Sequence, residues 1–214
     1  MRTAQEAIQY VDNNFTIKKF NSPIGDYFTP WMKELDEEFE EQQHKVKRIL
    51  KTLLNSTRIF TVGKGRSESM AGATGMRFMH AGYEVYEVGH KYTPAIGNDS
   101  KYKDCVLGIS GSGETPLVVT TSKIAKKNDV PVTGISSNEN SQFVKIAGKD
   151  NIIITKGKKI YPKDQVPSEH EQAINFLQTK SEIKALIGGE MFLNSVAEAK
   201  GITEDYMKRR HANV

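Results

Sequence analysis

The chain has 214 residues, 37% of them hydrophobic and 26% charged, with a mean hydropathy of −0.52, a balance that suits one soluble globular domain and excludes a disordered one. A net charge of +4 and a pI near 9.0 point to an anionic partner, either a nucleic acid or a phosphorylated small molecule. The single cysteine, Cys105, excludes an intrachain disulfide and lies in an apolar run, where a buried structural thiol is expected.

A short helix is expected over residues 3–12, followed by the turn-rich "NSPIGDYFTP". From Pro30 to about Leu54, Trp31, Leu35, Phe39, Val46, Ile49 and Leu53 or Leu54 recur at helical spacing, which predicts one long helix. These elements form an N-terminal helical arm, residues 1–56. The N-terminus lacks the continuous apolar stretch of a signal peptide, and no run approaches the roughly 18 apolar residues that cross a bilayer. A cytoplasmic protein with no membrane partner is therefore expected.

From residue 57 to 214 the pattern becomes that of one α/β domain. Strands are expected at 58–63, 83–88, 104–110, 130–137 and 151–155, with helices at 67–82 and 115–128 between them. The alternation predicts a five-stranded parallel sheet with helices on both faces, a three-layer α/β/α sandwich. A Lys/Gly/Pro loop over 156–168, a long helix over about 169–199 and a short one over 203–211 complete the chain. Basic and acidic residues are interleaved, as in "KELDEEFEEQQHKVKRILK", and the purely basic "KGKK" and "KRR" are short. That is a solvated helix face and not a stripe that follows a phosphate backbone, so no nucleic-acid partner is expected.

The chemistry centres on "ISGSGET", residues 109–115, at a strand-to-helix turn. Ligands of open parallel sheets bind at the carboxyl ends of strands, where helix N-termini present unpaired N–H groups and a positive dipole end. Gly111 and Gly113 let the backbone come close, and Ser110, Ser112 and Thr115 add hydroxyls. One hydroxyl suffices for an ordinary N-cap; three hydroxyls and two glycines suit a phosphate monoester. A second turn, "VGKGRSES" over 62–69, has a G-x-G, but Glu68 stands where a dinucleotide fingerprint has its third glycine, and neither turn ends in the Gly-Lys-Ser/Thr of a P-loop. No nucleotide cofactor is expected. The five histidines and one cysteine show no metal-ligand spacing, so no metal is expected either.

Together, "GKGRS", "RFMHAGYEVYEVG", "TPAI", "ISGSGET" and "ITEDYMKRRHAN" resemble the sugar isomerase (SIS) domain family, and within it the 6-phospho-3-hexuloisomerase branch, from about residue 40 to the C-terminus. The resemblance implies a five-stranded parallel sheet, a homo-tetramer, a small-molecule sugar phosphate as substrate, and interconversion of 3-hexulose 6-phosphate and fructose 6-phosphate through a cis-enediol in the ribulose monophosphate pathway. It leaves two alternatives, another SIS aldose–ketose isomerase and a non-catalytic sugar-phosphate sensor. Enediol chemistry needs a general base and groups that stabilise the oxygens, without metal or redox cofactor. The family's "GTxFE" glutamate corresponds to Glu182 in "LQTKSE", where Gln178 and Ser181 depart from the pattern, and Glu169 and Glu171 lie nearby as competitors. By the same resemblance His80 assists proton movement at the sugar oxygens, His211 reaches a neighbouring active site, and Arg66 and Ser67 bind substrate. His80 also suits a helix C-terminus, where its charge would meet the dipole. His90 stands where the family usually has a glutamate.

Overall fold

The structure, a computed structural model, describes residues 2–14, 29–99, 101–157 and 179–211. Most of the expected 156–168 loop, the expected helical start at 169, and Glu169 and Glu171 lie outside the described residues.

The helices and strands follow in the order α1 (Ala4–Asn14), α2 (Thr29–Glu41), α3 (Gln43–Asn55), β1 (Arg58–Val62), α4 (Arg66–His80), β2 (Glu84–Glu87), β3 (Asp104–Ser110), α5 (Pro116–Lys127), β4 (Val132–Ser136), α6 (Gln142–Ala147), β5 (Ile152–Ile154), α7 (Thr179–Lys200) and α8 (Glu204–Lys208). A 3₁₀ turn at Lys149–Asn151 leads into β5. The strands form one all-parallel sheet in the order β2-β1-β3-β4-β5, the α/β architecture expected. All residues of β1, β3 and β4 are buried, because helices cover both faces of a parallel sheet. One apolar cluster packs Phe39, Leu50, Leu53, Ile59, Phe78 and Phe192 on one side, and a second packs Phe60, Val106, Val118, Val132 and Phe143 on the other. Cys105 is fully buried in β3 and burial pushes its thiol up to about 12, as suits a structural thiol.

The sequence pattern predicts one helix from Pro30 to Leu54; the structure has two, and Gln42 separates them. Its side chain leaves the helix to pair with the edge strand: Nε2 donates to the Ile154 carbonyl (2.8 Å), and Oε1 accepts the Ile154 N–H (2.9 Å). The amide occupies the hydrogen-bonding positions a sixth strand would take, which covers an otherwise open edge. The arm is also no appendage. Ala7, Met32, Leu35 and Phe39 sit in the same apolar cluster as Ile59 and Phe192.

α6 is not among the expected elements. Its signal is a Ser141 cap that accepts the Val144 N–H, then Phe143, Val144 and Ala147, then Gly148, but six residues fall below the window in which helical periodicity registers. α7 ends at a glycine: Gly201 has φ 67°, and the Gly201 and Ile202 N–H groups return to the Glu198 and Ala197 carbonyls at 3.0 and 2.8 Å, closing the last turn. Gly189 lets α7 approach α4, since a Cβ there would lie 2.3 Å from Thr74 Oγ1.

Replacing Gln42 by Ala strands the Ile154 N–H and C=O at the sheet edge. A loss of about 1–3 kcal/mol is expected, seen as a lower urea midpoint with an unchanged slope.

Candidate active site

The strand order turns back on itself between β1 and β3, so the crevice between their carboxyl ends is the topological switch point where such sheets bind ligands. The loops after β1 and β3 hold the two turns singled out in the sequence, residues 62–69 and 109–115. A small pocket opens there, lined by Ser67 from the first turn, Gly111 from the second, Ser136 at the end of β4 and Ser137 after it, Thr155 after β5, and Ser181 and Glu182 from α7. Five strands and helices thus contribute to one concavity.

The 110–115 turn is held by its own hydroxyls. Ser110 is buried; its Oγ accepts the Gly113 N–H at 3.0 Å and shares a hydrogen bond with Thr115 Oγ1 at 3.0 Å. Ser112 Oγ accepts the Glu114 N–H at 3.2 Å, and Ser137 N–H donates to the Gly111 carbonyl at 3.1 Å. Thr115 precedes α5 as its N-cap residue, yet its side chain makes no capping bond and Pro116 follows. The first-turn N–H groups of α5 therefore receive no side-chain acceptor from Thr115, which is how a helix N-terminus offers donors to an anion. Ser110 shapes the loop, while Ser112 is exposed at its tip. Gly113 has φ 65°, and a Cβ there would lie 2.1 Å from Ser141 Oγ.

Glu182 lies in the first turn of α7. Its side chain is 13% exposed and its Oε2 is 2.8 Å from Arg66 Nε, with Arg66 itself 56% exposed. The contact is an ion pair without hydrogen-bond alignment, and Oε2 is buried without a hydrogen bond. The structure therefore brings Glu182, Ser67 and Gly111 to one pocket, with Arg66 beside it on Glu182, while Ser110, Ser112, Gly113 and Thr115 do not line it. Gly157 closes its back: a Cβ there would lie 2.6 Å from Ser137 Oγ and 2.7 Å from Ser181 Cβ. Sequence reasoning missed Ser136, Ser137, Thr155 and Gly157, which have no local motif.

His80 and His211 are brought together, with ring centroids 4.9 Å apart, but not to this pocket. Arg66 and His80 begin and end α4, so at 1.5 Å per residue about 21 Å of helix separates them. His80 is buried, and burial, then the neighbouring His211 and Arg77, holds its imidazolium below the usual histidine range.

His90 lies on the other flank of the crevice. Its Nε2 is 3.5 Å from Glu87 Oε1 and 3.8 Å from Glu68 Oε1, and the ligand atoms of all three lie within 4.8 Å of one another. Glu68 also pairs with Lys64 at 3.2 Å, which holds its carboxyl below the usual range. The spacing rule applied to the sequence could not find this grouping, because Glu68 and Glu87 come from different elements.

The SIS domain family matches residues 52–168. The 3-hexulose-6-phosphate isomerase of Bacillus subtilis is 33% identical over 76% of this chain and 82% of its own. A crystal structure from Methanococcus jannaschii, described as inferring a molecular function of 3-hexulose-6-phosphate isomerase, superposes with a TM-score of 0.68 at 25% identity, over 88% of this chain and 97% of that one. The Vibrio vulnificus NanR protein, solved in complex with ManNAc-6P, shares the fold, with a TM-score of 0.62 at 16% identity over 87% and 67% of the two chains. The chain belongs to the SIS domain family. Within it the chain is a sugar-phosphate isomerase.

Gly113→Ala combines a strained φ with a clash against Ser141 and should distort the turn at a cost of about 1–3 kcal/mol; weaker inorganic phosphate and sugar-phosphate binding by calorimetry is the expected readout. Because the folded-state pKa of His80 is depressed, the unfolded chain binds its proton first as pH falls. Stability should therefore be lost from about pH 6.5 downward, and His80→Phe should flatten that part of the urea-midpoint profile.

Proposed function

We propose that the chain interconverts 3-hexulose 6-phosphate and fructose 6-phosphate, as a 6-phospho-3-hexuloisomerase of the ribulose monophosphate pathway. The observation that carries this reading is Glu182: a largely buried carboxylate, ion-paired with Arg66, in one pocket with Ser67 and Gly111 at the switch point of a parallel sheet. The substrate phosphate binds the amides and hydroxyls of Gly111–Thr115 and Ser67. Glu182 takes the proton from C2 of the 3-ketose, the electron pair moves into a C2–C3 enediolate, and the same proton returns to C3. A hydroxyl proton passes from O2 to O3 in the process, so the carbonyl ends at C2. Arg66, released from Glu182 by the substrate, supplies positive charge for the enediolate oxygens.

In this reading the buried His80 supports the exposed His211, which acts on a neighbouring subunit of a homo-tetramer. Their separation from Glu182 within one chain supports this, as do Met76 and Met79, exposed on the same helix. With a sugar-phosphate substrate of central metabolism, this reading implies an enzyme of the cytoplasm. No helix among the described residues is long and apolar enough to cross a membrane.

The test is isomerisation of fructose 6-phosphate coupled to a 3-hexulose-6-phosphate synthase, with formaldehyde or ribulose 5-phosphate as the readout. Glu182→Gln should lower kcat by about 10²–10⁴ and leave fructose 6-phosphate binding nearly intact; an unmodified protein that binds the sugar phosphate without turnover would be a sensor. Subunit sharing has its own test. Mixing inactive Glu182→Gln with inactive His211→Ala protein should restore turnover, and no recovery after subunit exchange would refute the shared site.

A further inference from the structure

Helix α2 and the first turns of α7 face each other with charges in register. Glu34 and Glu38 are four residues apart on α2, and Lys180 and Lys184 are four apart on α7, the spacing that puts each pair on one helix face. Lys180 pairs with Glu34. Lys184 Nζ lies 3.1 Å from Glu34 Oε2 and 2.7 Å from Glu38 Oε1. The Lys184 side chain is 0% exposed and that of Glu38 3%.

The pair also grips a third segment. Glu38 Oε1 accepts the Lys156 backbone N–H at 2.8 Å, and Lys184 Nζ donates to the Lys156 carbonyl at 3.3 Å. Thr155, next to Lys156, forms one wall of the pocket, and Ser181, Glu182 and Ala185 form another. With about 100° of helix rotation per residue, Lys184 sits on the side of α7 turned away from Glu182. The network therefore holds the base from behind and fixes its distance from the Thr155 wall.

Its energetics do not suit a stabilising role. Burying two ions costs several kcal/mol before their attraction is counted, and well-packed apolar residues often do as well or better. Glu38 Oε2 is buried and takes no hydrogen bond. Burial raises the Glu38 carboxyl above its usual range despite Lys184 and the Lys156 N–H. At Glu34 burial also pushes upward, but the two ammoniums offset it and hold the carboxyl low. What the four charges supply is register: one axial setting of α7 against α2 pairs them all.

We propose that Glu38 and Lys184 are positioning residues that set the height of Glu182 over the phosphate-binding turn, which gives the N-terminal arm a part in catalysis. This rests on the reading of Glu182 as the base. The sequence match to the SIS family begins at residue 52 and ends at 168, so it covers none of the four charged residues.

The experiment compares the unmodified protein with Glu38→Leu, Glu38→Gln and Lys184→Met, by steady-state isomerisation and by amide hydrogen exchange over residues 183–188, after near-UV circular dichroism confirms folding. Glu38→Leu and Lys184→Met should lower kcat by about tenfold to a hundredfold, with KM changed by about twofold or less, as a misplaced base would. Exchange over 183–188 should rise by about tenfold in both. Glu38→Gln keeps an acceptor for the Lys156 N–H and for Lys184, and should recover kcat to within about threefold. A folded Glu38→Leu protein with unchanged kcat and exchange overturns the proposal, as does a loss that Gln does not rescue. Should Leu prevent folding, Lys184→Met, whose flexible chain fills the same space, decides it. If the unmodified protein shows no turnover, the functional reading fails by itself; the exchange rates then still decide whether the network holds α7.

Discussion

Every feature of the site depends on five strands running the same way. A parallel sheet sends all its strands' carboxyl ends to one edge, and each crossover must return over a face of the sheet, so turns distant in sequence are gathered there. β1 and β3 are neighbours although β2 lies between them in the chain. The crossovers from β1 and β3 leave the sheet from that junction and open a crevice between Arg66–Ser67 and Gly111–Thr115. The covering helices seat tightly on the strands. Gly108 in β3 faces the Phe143 ring so closely that a Cβ would lie 2.6 Å from it.

The two edges of the sheet use polar groups differently. At the amino edge, Arg58 and Asp104, paired in the β1–β3 register, form a buried two-pronged ion pair at 2.6 and 2.8 Å, and Asp104 also accepts the Gly97 N–H. All of those groups are satisfied by one another. At the carboxyl edge, hydroxyls of Ser110, Thr115, Ser137 and Thr155 pair at 3.0–3.4 Å, and Glu182 Oε2 meets only the half-exposed Arg66 in an ion pair that makes no aligned hydrogen bond. Neutral hydroxyls can rotate to meet a ligand at little cost, whereas a matched ion pair resists change. Rigidity below and adaptability above is what a sugar-phosphate isomerase needs.

Local signals carried much of this. The alternation after residue 57 specified the parallel α/β sheet, and the small residues of 109–115 marked the turn, because each depends on neighbours in sequence. The Gln42 break was invisible, since apolar spacing continues across it and its cause is the Ile154 backbone 112 residues away. Likewise nothing near Glu182 in sequence indicates Arg66, Thr155 or Glu38.

The sequence by itself determined the strand and helix alternation, the phosphate-type turn and, through resemblance, Glu182 as the candidate base. Only the tertiary structure decided which groups surround that carboxylate, because the crossovers bring Arg66 to within 2.8 Å of it while the length of α4 keeps His80 away. It also decided that the arm belongs to the core, since the buried charges of Glu38 and Lys184 meet across 146 residues of chain. Periodicity records which face of a helix is apolar; it holds no information on which distant charge that helix must meet once water is excluded.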